Sequence, residues 1–226
     1  MGQVFFIAGT DAGVGKTVVA KAMLQVLAEQ HLTTIGYKPV STGCDNTELG
    51  YVNQDAAYLM QAATEPADYH DVNPYMLPLR TSPHIAAEHE GVDVTYDVLD
   101  NALAKHRDHA DVVVVEGIGG WRVPLAKTTC LSTWVARANI PVVLVVGIQV
   151  GCINHALLTA EAIRSDGLQL VGWVANRINP GTEHYAEIIH TLESCLDSPK
   201  LGEIPYVPSA LRRDLGKYLT LERAIE

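Results

Sequence analysis

Cysteine is scarce in this 226-residue chain. Only Cys44, Cys130, Cys152 and Cys195 are present, and no two are close enough for a C-x-x-C pair. A disulfide scaffold is excluded, and four reduced thiols in a cytosolic setting are expected. Positive charge is also short: 16 Lys+Arg against 26 Asp+Glu leave a net charge of −10. A nucleic-acid coat or an anionic membrane binder is therefore not expected, because phosphates would be repelled, although a local basic pocket for a small phosphate stays open. No apolar run approaches the ~18 residues of a membrane span. The apolar run at residues 4–8 has neither a basic flank nor a small-residue cleavage site, so it does not read as a signal peptide. Phe6 stands where a myristoylation signal needs Ser or Thr. Repeats and low-complexity tracts are missing too.

What is there is a single-domain amount of chain, at roughly 100–200 residues per domain. A chain of this length buries roughly 70% of its unfolded surface and needs no metal or disulfide staple. Short β-branched runs at 4–8, 34–38, 112–116, 142–148, 170–176 and 201–204 are apolar throughout. That pattern predicts strands buried on both faces of a mostly parallel sheet. Helical patterns at 16–30, 54–63, 85–89, 98–106, 132–138, 154–165 and 183–196 alternate with them. The order implies an α/β fold with helices on both faces and right-handed crossovers. Residues 41–94 are richer in loops, proline and polar side chains, and read as an insertion at the carboxyl, substrate-side edge of the sheet.

The first strand runs into Gly9-Thr10-Asp11-Ala12-Gly13-Val14-Gly15-Lys16-Thr17. Gly15-Lys16-Thr17 is the end of a Walker A loop, placed between a strand and a helix as that motif requires. Glycines let backbone N–H groups turn in around phosphate oxygens, and the helix N-terminus adds its positive end. Lys16 would reach the β- and γ-phosphates, and the Thr17 hydroxyl would hold Mg²⁺. Gly9 lies six residues before Gly15, where the usual spacing is five.

Two acids qualify as partners for the metal. Glu116 ends the run Val112-Val113-Val114-Val115, in the manner of a Walker B acid, and Asp55 opens a helix. On local sequence alone Asp55 reads equally as a helix cap. Gly117, Gly119 and Gly120 allow close backbone approach to a ligand beside Ile118. Lys38 ends the second strand before Pro39, at the carboxyl end where ligands bind in such sheets. His84, Glu88 and His89 miss the inverted-zincin spacing, since three residues instead of two separate the first histidine from the acid, and His106-Arg107-Asp108 reads as a helix end and turn. The base-reading Asn-Lys-x-Asp of GTPases is absent, and Asp11 stands where partitioning ATPases place a second lysine. The P-loop gives nucleotide use without naming the acceptor. An ATP-gated partner-binding switch and a small-molecule kinase share it.

Further segments narrow this. They are Gly36-Tyr37-Lys38-Pro39-Val40, Asn73-Pro74-Tyr75, Ser82-Pro83-His84-Ile85 and Val115-Glu116-Gly117, with Gly119-Gly120-Trp121. Gly151-Cys152-Ile153-Asn154-His155-Ala156, Gly172-Trp173-Val174-Ala175-Asn176 and Leu201-Gly202-Glu203-Ile204-Pro205 continue the set. Together with the six-residue glycine spacing, over nearly the whole chain, they resemble the dethiobiotin synthetases. The resemblance implies an ATP-dependent cyclo-ligase that closes 7,8-diaminononanoate and CO₂ into dethiobiotin through a carbamate and a carbamic–phosphoric anhydride. It implies Lys38 as the catalytic lysine at the carbamate and Lys16 as the stabiliser of the transferred phosphoryl group. Mg²⁺ would sit on Thr17, Asp55 and Glu116. Gly13, Val14, Gly15, Val18, Gly117, Ile118 and Gly119 would lie along the nucleotide, with Asn176, Arg177, Pro205, Tyr206 and Val207 around adenine. Thr42 would bond the substrate nitrogen or carbamate. A cytoplasmic homodimer is implied, in which Gly151, Cys152, Ile153 and Asn154 open a helix that receives the neighbour's substrate carboxylate. Ala12 and Gly13 replace a threonine and an acid found in many members, and Arg212, Arg213 and Asp214 fall where some place an acid near the ribose. A tyrosine that many members carry near position 187 is not aligned, and Tyr185 lies nearby.

Overall fold

The computed structural model describes residues 2–48 and 50–221. In chain order the first elements are β1 (Gln3–Gly9), α1 (Lys16–Glu29), β2 (Thr34–Tyr37), β3 (Val40–Thr42), β4 (Asp45–Thr47) and β5 (Gly50–Val52). They are followed by α2 (Gln54–Ala62), α3 (Tyr69–Val72), β6 (Tyr75–Leu77), α4 (Pro83–Glu90), α5 (Tyr96–His109) and β7 (Val112–Glu116). Then come β8 (Pro124–Ala126), β9 (Thr129–Cys130), α6 (Leu131–Arg137), β10 (Val142–Gly147), α7 (Cys152–Ser165), β11 (Leu170–Asn176), α8 (Tyr185–Cys195) and β12 (Lys200–Ile204). Two 3-10 turns, Ala210–Arg212 and Gly216–Tyr218, lead to the end of the described chain.

Six strands form one all-parallel sheet in the order β12-β11-β10-β1-β7-β2. Phe6 of β1 aligns with Val142 on one side and Val115 on the other. The valine run explains itself through the two-residue period of a strand. Val112 and Val114 pack with Val19, Met23, Leu24 and Leu27 of α1 and Leu59 of α2. Val113 and Val115 pack on the opposite face with Leu99 of α5, Trp134 of α6, Ile163 of α7 and Leu192 of α8. Both faces of the central strands are covered, so apolar residues run there with little interruption, while Gln3 at the start of β1 and Lys200 and Glu203 of the edge strand β12 keep some exposure. In α5 the buried stripe Leu99, Ala102, Leu103 and His106 follows the helical period.

The six sheet strands fall within two residues of the runs expected from sequence. β2 stops at Tyr37, one residue before Lys38, whose N–H leaves the ladder and donates to Val72 O at 2.8 Å. Helix α7 begins at Cys152, because Gly151 caps it in a left-handed conformation (φ 89°). The expected helix end at His106–Asp108 lies inside α5, which continues to His109. Residues 41–94 hold β3–β6 and α2–α4, with β3 and β6 paired in parallel outside the main sheet. No helix among the described residues is long and apolar enough to cross a membrane, and all four cysteines are free.

The chain goes from β1 outward to β2, returns to β7, and only then crosses to β10 on the other side. Connections therefore diverge beside β1, which opens a crevice outside the carboxyl ends of the strands. Gly9, Glu116, Gly147, Asn176 and Ile204 all close strands at that edge.

Candidate active site

The loop between β1 and α1 depends on backbone that only glycine provides cheaply. A Cβ at Gly9 would lie 2.8 Å from Val14 Cγ2, 2.9 Å from Asp11 O and 3.0 Å from Lys16 Nζ. Gly13 (φ 72°) and Gly15 (φ 91°) are left-handed. A side chain at Gly15 would also run into the Asn176 amide, which donates Nδ2 to Val14 O at 2.8 Å and holds the loop from below. Gly15 is the N-cap of α1, so the loop ends on the unpaired N–H groups of a helix N-terminus. Lys16 folds back over the loop and donates Nζ to Asp11 O at 3.0 Å and Gly119 O at 2.6 Å. Burial, and then the nearby Lys38 ammonium, pull its pKa down to about 8.

A buried ionic cluster lies beside it. Lys38 is 2% exposed and donates Nζ to Glu116 Oε1 at 2.6 Å, to Asp55 Oδ2 at 3.1 Å and to Gly117 O at 3.1 Å. Thr17 Oγ1 donates to the same Glu116 Oε1 at 2.8 Å. Burial pulls the Lys38 ammonium down, but the two carboxylates outweigh it and leave its pKa above the ordinary value. Burial pushes the Glu116 carboxyl up, and Lys38 pulls against that without cancelling it. For Asp55 burial also pushes upward, and Lys38 more than offsets it. Glu116 Oε2 is buried without a hydrogen-bond partner, an acceptor suited to a cation. Thr17, Asp55 and Glu116 offer hard oxygens, as Mg²⁺ prefers. Among the described residues no three His, Cys, Asp or Glu side chains converge as a metal cluster. Two carboxylates and a hydroxyl would suit an Mg²⁺ ion that takes its remaining oxygens from phosphate and water.

These groups open on one cleft of about 340 Å³, lined by Gly13, Gly15, Lys16, Thr17, Val18 and Lys38 among others. Thr42, Asp55, Glu116, Ile118 and Gly119 also line it. The cap of α2 is Asn53, whose side chain accepts from Ala56 N, and Asp55 pairs with Lys38 instead. Ser41, Asn53 and Leu211 line the cleft as well and were not singled out by sequence reasoning. Nor was Asn73, fully buried, whose Nδ2 donates to Lys38 O at 2.7 Å and whose Oδ1 accepts from Ser41 Oγ at 2.7 Å. It entered only within the Asn73-Pro74-Tyr75 segment of the resemblance.

The remaining expected residues lie outside this lining. Asn176 sits beneath Gly15, and Arg177 N donates to Ile204 O at 2.9 Å. The Arg177 guanidinium lies 4.7 Å over the Tyr185 ring. Pro205, Tyr206 and Val207 follow β12, with Tyr206 exposed. Gly151, Cys152 and Ile153 line a separate cleft of about 520 Å³ with Val150, Asn179, Thr182, His184 and Ile188. Asn154 follows them at the exposed start of α7.

A glycine loop closing on lysine and threonine between a central strand and its helix, with an acid ending the neighbouring strand, defines a P-loop NTPase of the parallel α/β type. Solved structures agree. A ParA family ATPase from Chlorobium tepidum superposes with a TM-score of 0.60 at 12% identity, covering 100% of this chain and 94% of that one. The cell-division protein MinD of Aquifex aeolicus gives 0.58 at 17% identity, covering 97% and 88%. Both likenesses are of fold. The family model described as an AAA domain matches residues 3–212. The ATP-dependent dethiobiotin synthetase BioD of Vibrio cholerae is 62% identical over 226 residues, covering 100% of this chain and 98% of that protein. Its counterpart from Vibrio parahaemolyticus is 63% identical over 218 residues, covering 96% of each. The chain belongs to the ATP-dependent dethiobiotin synthetase family.

Proposed function

We propose that this chain closes 7,8-diaminononanoate and CO₂ into dethiobiotin at the expense of ATP, releasing ADP and phosphate. The observation that carries the reading is the pairing of two buried lysines, Lys16 and Lys38, on one cleft with Thr17, Asp55 and Glu116. Family membership supplies the substrate. One amine takes up CO₂ as a carbamate. A carbamate oxygen attacks the γ-phosphorus, the bond to ADP breaks, and a carbamic–phosphoric anhydride results. The second amine then attacks the carbamoyl carbon, the ring C–N bond forms, and phosphate leaves.

Both reacting groups are anions, so their approach needs cations fixed in advance. Lys38 faces the carbamate, and Lys16 stabilises charge on the transferred phosphoryl group. Thr17, Asp55 and Glu116 hold Mg²⁺, which when bound neutralises phosphate oxygens. Gly13, Val14, Gly15, Val18, Gly117, Ile118 and Gly119 follow the phosphates. Asn176, Arg177, Pro205, Tyr206 and Val207 lie on the adenine side, and Thr42 bonds the substrate nitrogen or carbamate. The enzyme works as a cytoplasmic homodimer. Gly151, Cys152, Ile153 and Asn154, at the N-terminus of α7, take the carboxylate of the neighbour's substrate. The 97% exposure of Val150 and 56% of Leu158 support a covered face there.

The test is ADP release in a coupled assay. Release that requires both the diamine and bicarbonate is expected. ADP release unaffected by omitting the diamine would overturn the reading in favour of a switch ATPase.

A further inference from the structure

Helix α1 carries two polar side chains on a covered face beyond the P-loop. Lys21 lies one turn after Thr17 and is 8% exposed, and Gln25 lies one turn further. Neither touches the cleft. Lys21 Nζ donates to Arg213 O at 2.9 Å, and Gln25 Nε2 donates to the same oxygen at 3.3 Å. Gln25 Oε1 accepts from Leu215 N at 3.0 Å. Side chains of α1 therefore answer two backbone groups of one short stretch. Asp214 Oδ1 accepts from Gly216 N at 3.0 Å, which tightens the same turn. Beyond it Leu215, Leu219 and Leu221 join the α1 side of the core. Two residues before the anchored carbonyl stands Leu211, which lines the cleft with Gly15, Thr17 and Val18.

The helix that begins at the phosphate loop thus also fixes the segment that reaches the cleft at Leu211. Lys21 is directed by this carbonyl and by the nearby Asp214 carboxylate, along a cavity that Gln25 and Leu211 also line, and an apolar side chain would serve packing as well. What it adds is a fixed position for the backbone. We infer that Lys21 and Gln25 are positioning residues for the nucleotide: they clamp residues 213–215 and so hold Leu211 over the cleft beside the triphosphate. This deepens the ATP reading above and rests on it.

The test titrates the full chain with a fluorescent N-methylanthraniloyl ATP and Mg²⁺. Lys21→Met is expected to weaken binding roughly tenfold, the scale of one lost charged hydrogen bond. kcat at saturating ATP falls far less than KM rises, and Lys21→Arg restores most of the affinity. Leu211→Ala weakens binding by itself, and adding Lys21→Met to it brings no further loss, because the lysine acts through the leucine. Gln25→Met carries the same expectations should Lys21→Met not fold. Wild-type affinity in both clamp variants, or losses that add in the double variant, would overturn the clamp. A wild-type chain that failed to bind the analogue would instead overturn the nucleotide reading.

Discussion

Lys38 is buried and held by two carboxylates and a carbonyl, so its charge and direction are set before any substrate arrives. Lys38→Gln is expected to lower kcat by about 100-fold or more, the effect of removing one preorganised electrostatic group. Nucleotide affinity should stay within a few-fold, since Lys16 and the loop remain. Steady-state ADP release alongside a nucleotide titration separates the two, and near-normal turnover would remove Lys38 from the mechanism. Lys16 gives a pH signature. Its pKa of about 8, against an ordinary 10.5, comes first from burial. The unfolded chain then binds more protons than the folded one between about 8 and 10.5, so this group's burial penalty is relieved as pH rises through that window. A polyphosphate favours the charged amine and raises its pKa. Binding should therefore take up a proton near pH 8, and affinity should fall as pH climbs above it. Titration calorimetry in buffers of different ionisation enthalpy reads the uptake, and none at pH 8 would contradict the assignment. Most residues of this cluster were legible because they sit where an apolar strand ends: Gly15-Lys16-Thr17 after β1, Lys38 after β2, Glu116 closing β7; Asp55 was legible as an acid opening α2. Ser41, Asn73 and Leu211 were not, because their roles come from chain segments that meet only in the fold.

At the scale of elements, the phosphate loop is built against the end of β11. Gly15→Ala asks a left-handed position to carry a Cβ and drives it against the Asn176 amide. A destabilisation of about 1–3 kcal/mol is expected, with nucleotide affinity lost beyond what stability explains. Denaturant unfolding and equilibrium binding measure the two, and a variant matching wild type in both would show that the loop tolerates another backbone. The main strands were readable to within two residues, since double-sided burial leaves a continuous apolar run. The short pairs were not: β3 with β6, and β8 with β9, are three residues or fewer per strand. So small an element leaves too few alternations to register. Helix α3, four residues long, escaped for the same reason.

At the scale of the molecule, sequence gave strands and their parallel sense but not the order β12-β11-β10-β1-β7-β2. Order is decided by which faces pack together, through contacts distant along the chain. That order brings the ends of β1, β2 and β7 side by side, and with them Lys16, Lys38 and Glu116. The proposed reaction requires carbamate and γ-phosphate to meet in that cleft, oxygen to phosphorus. The most direct measurement follows oxygen. With freshly dissolved ¹⁸O-bicarbonate, the diamine and MgATP, the released phosphate is predicted to carry one labelled oxygen, and dethiobiotin to form in equal amount with ADP. Unlabelled phosphate, or a stable phosphorylated diamine without the urea ring, would contradict it.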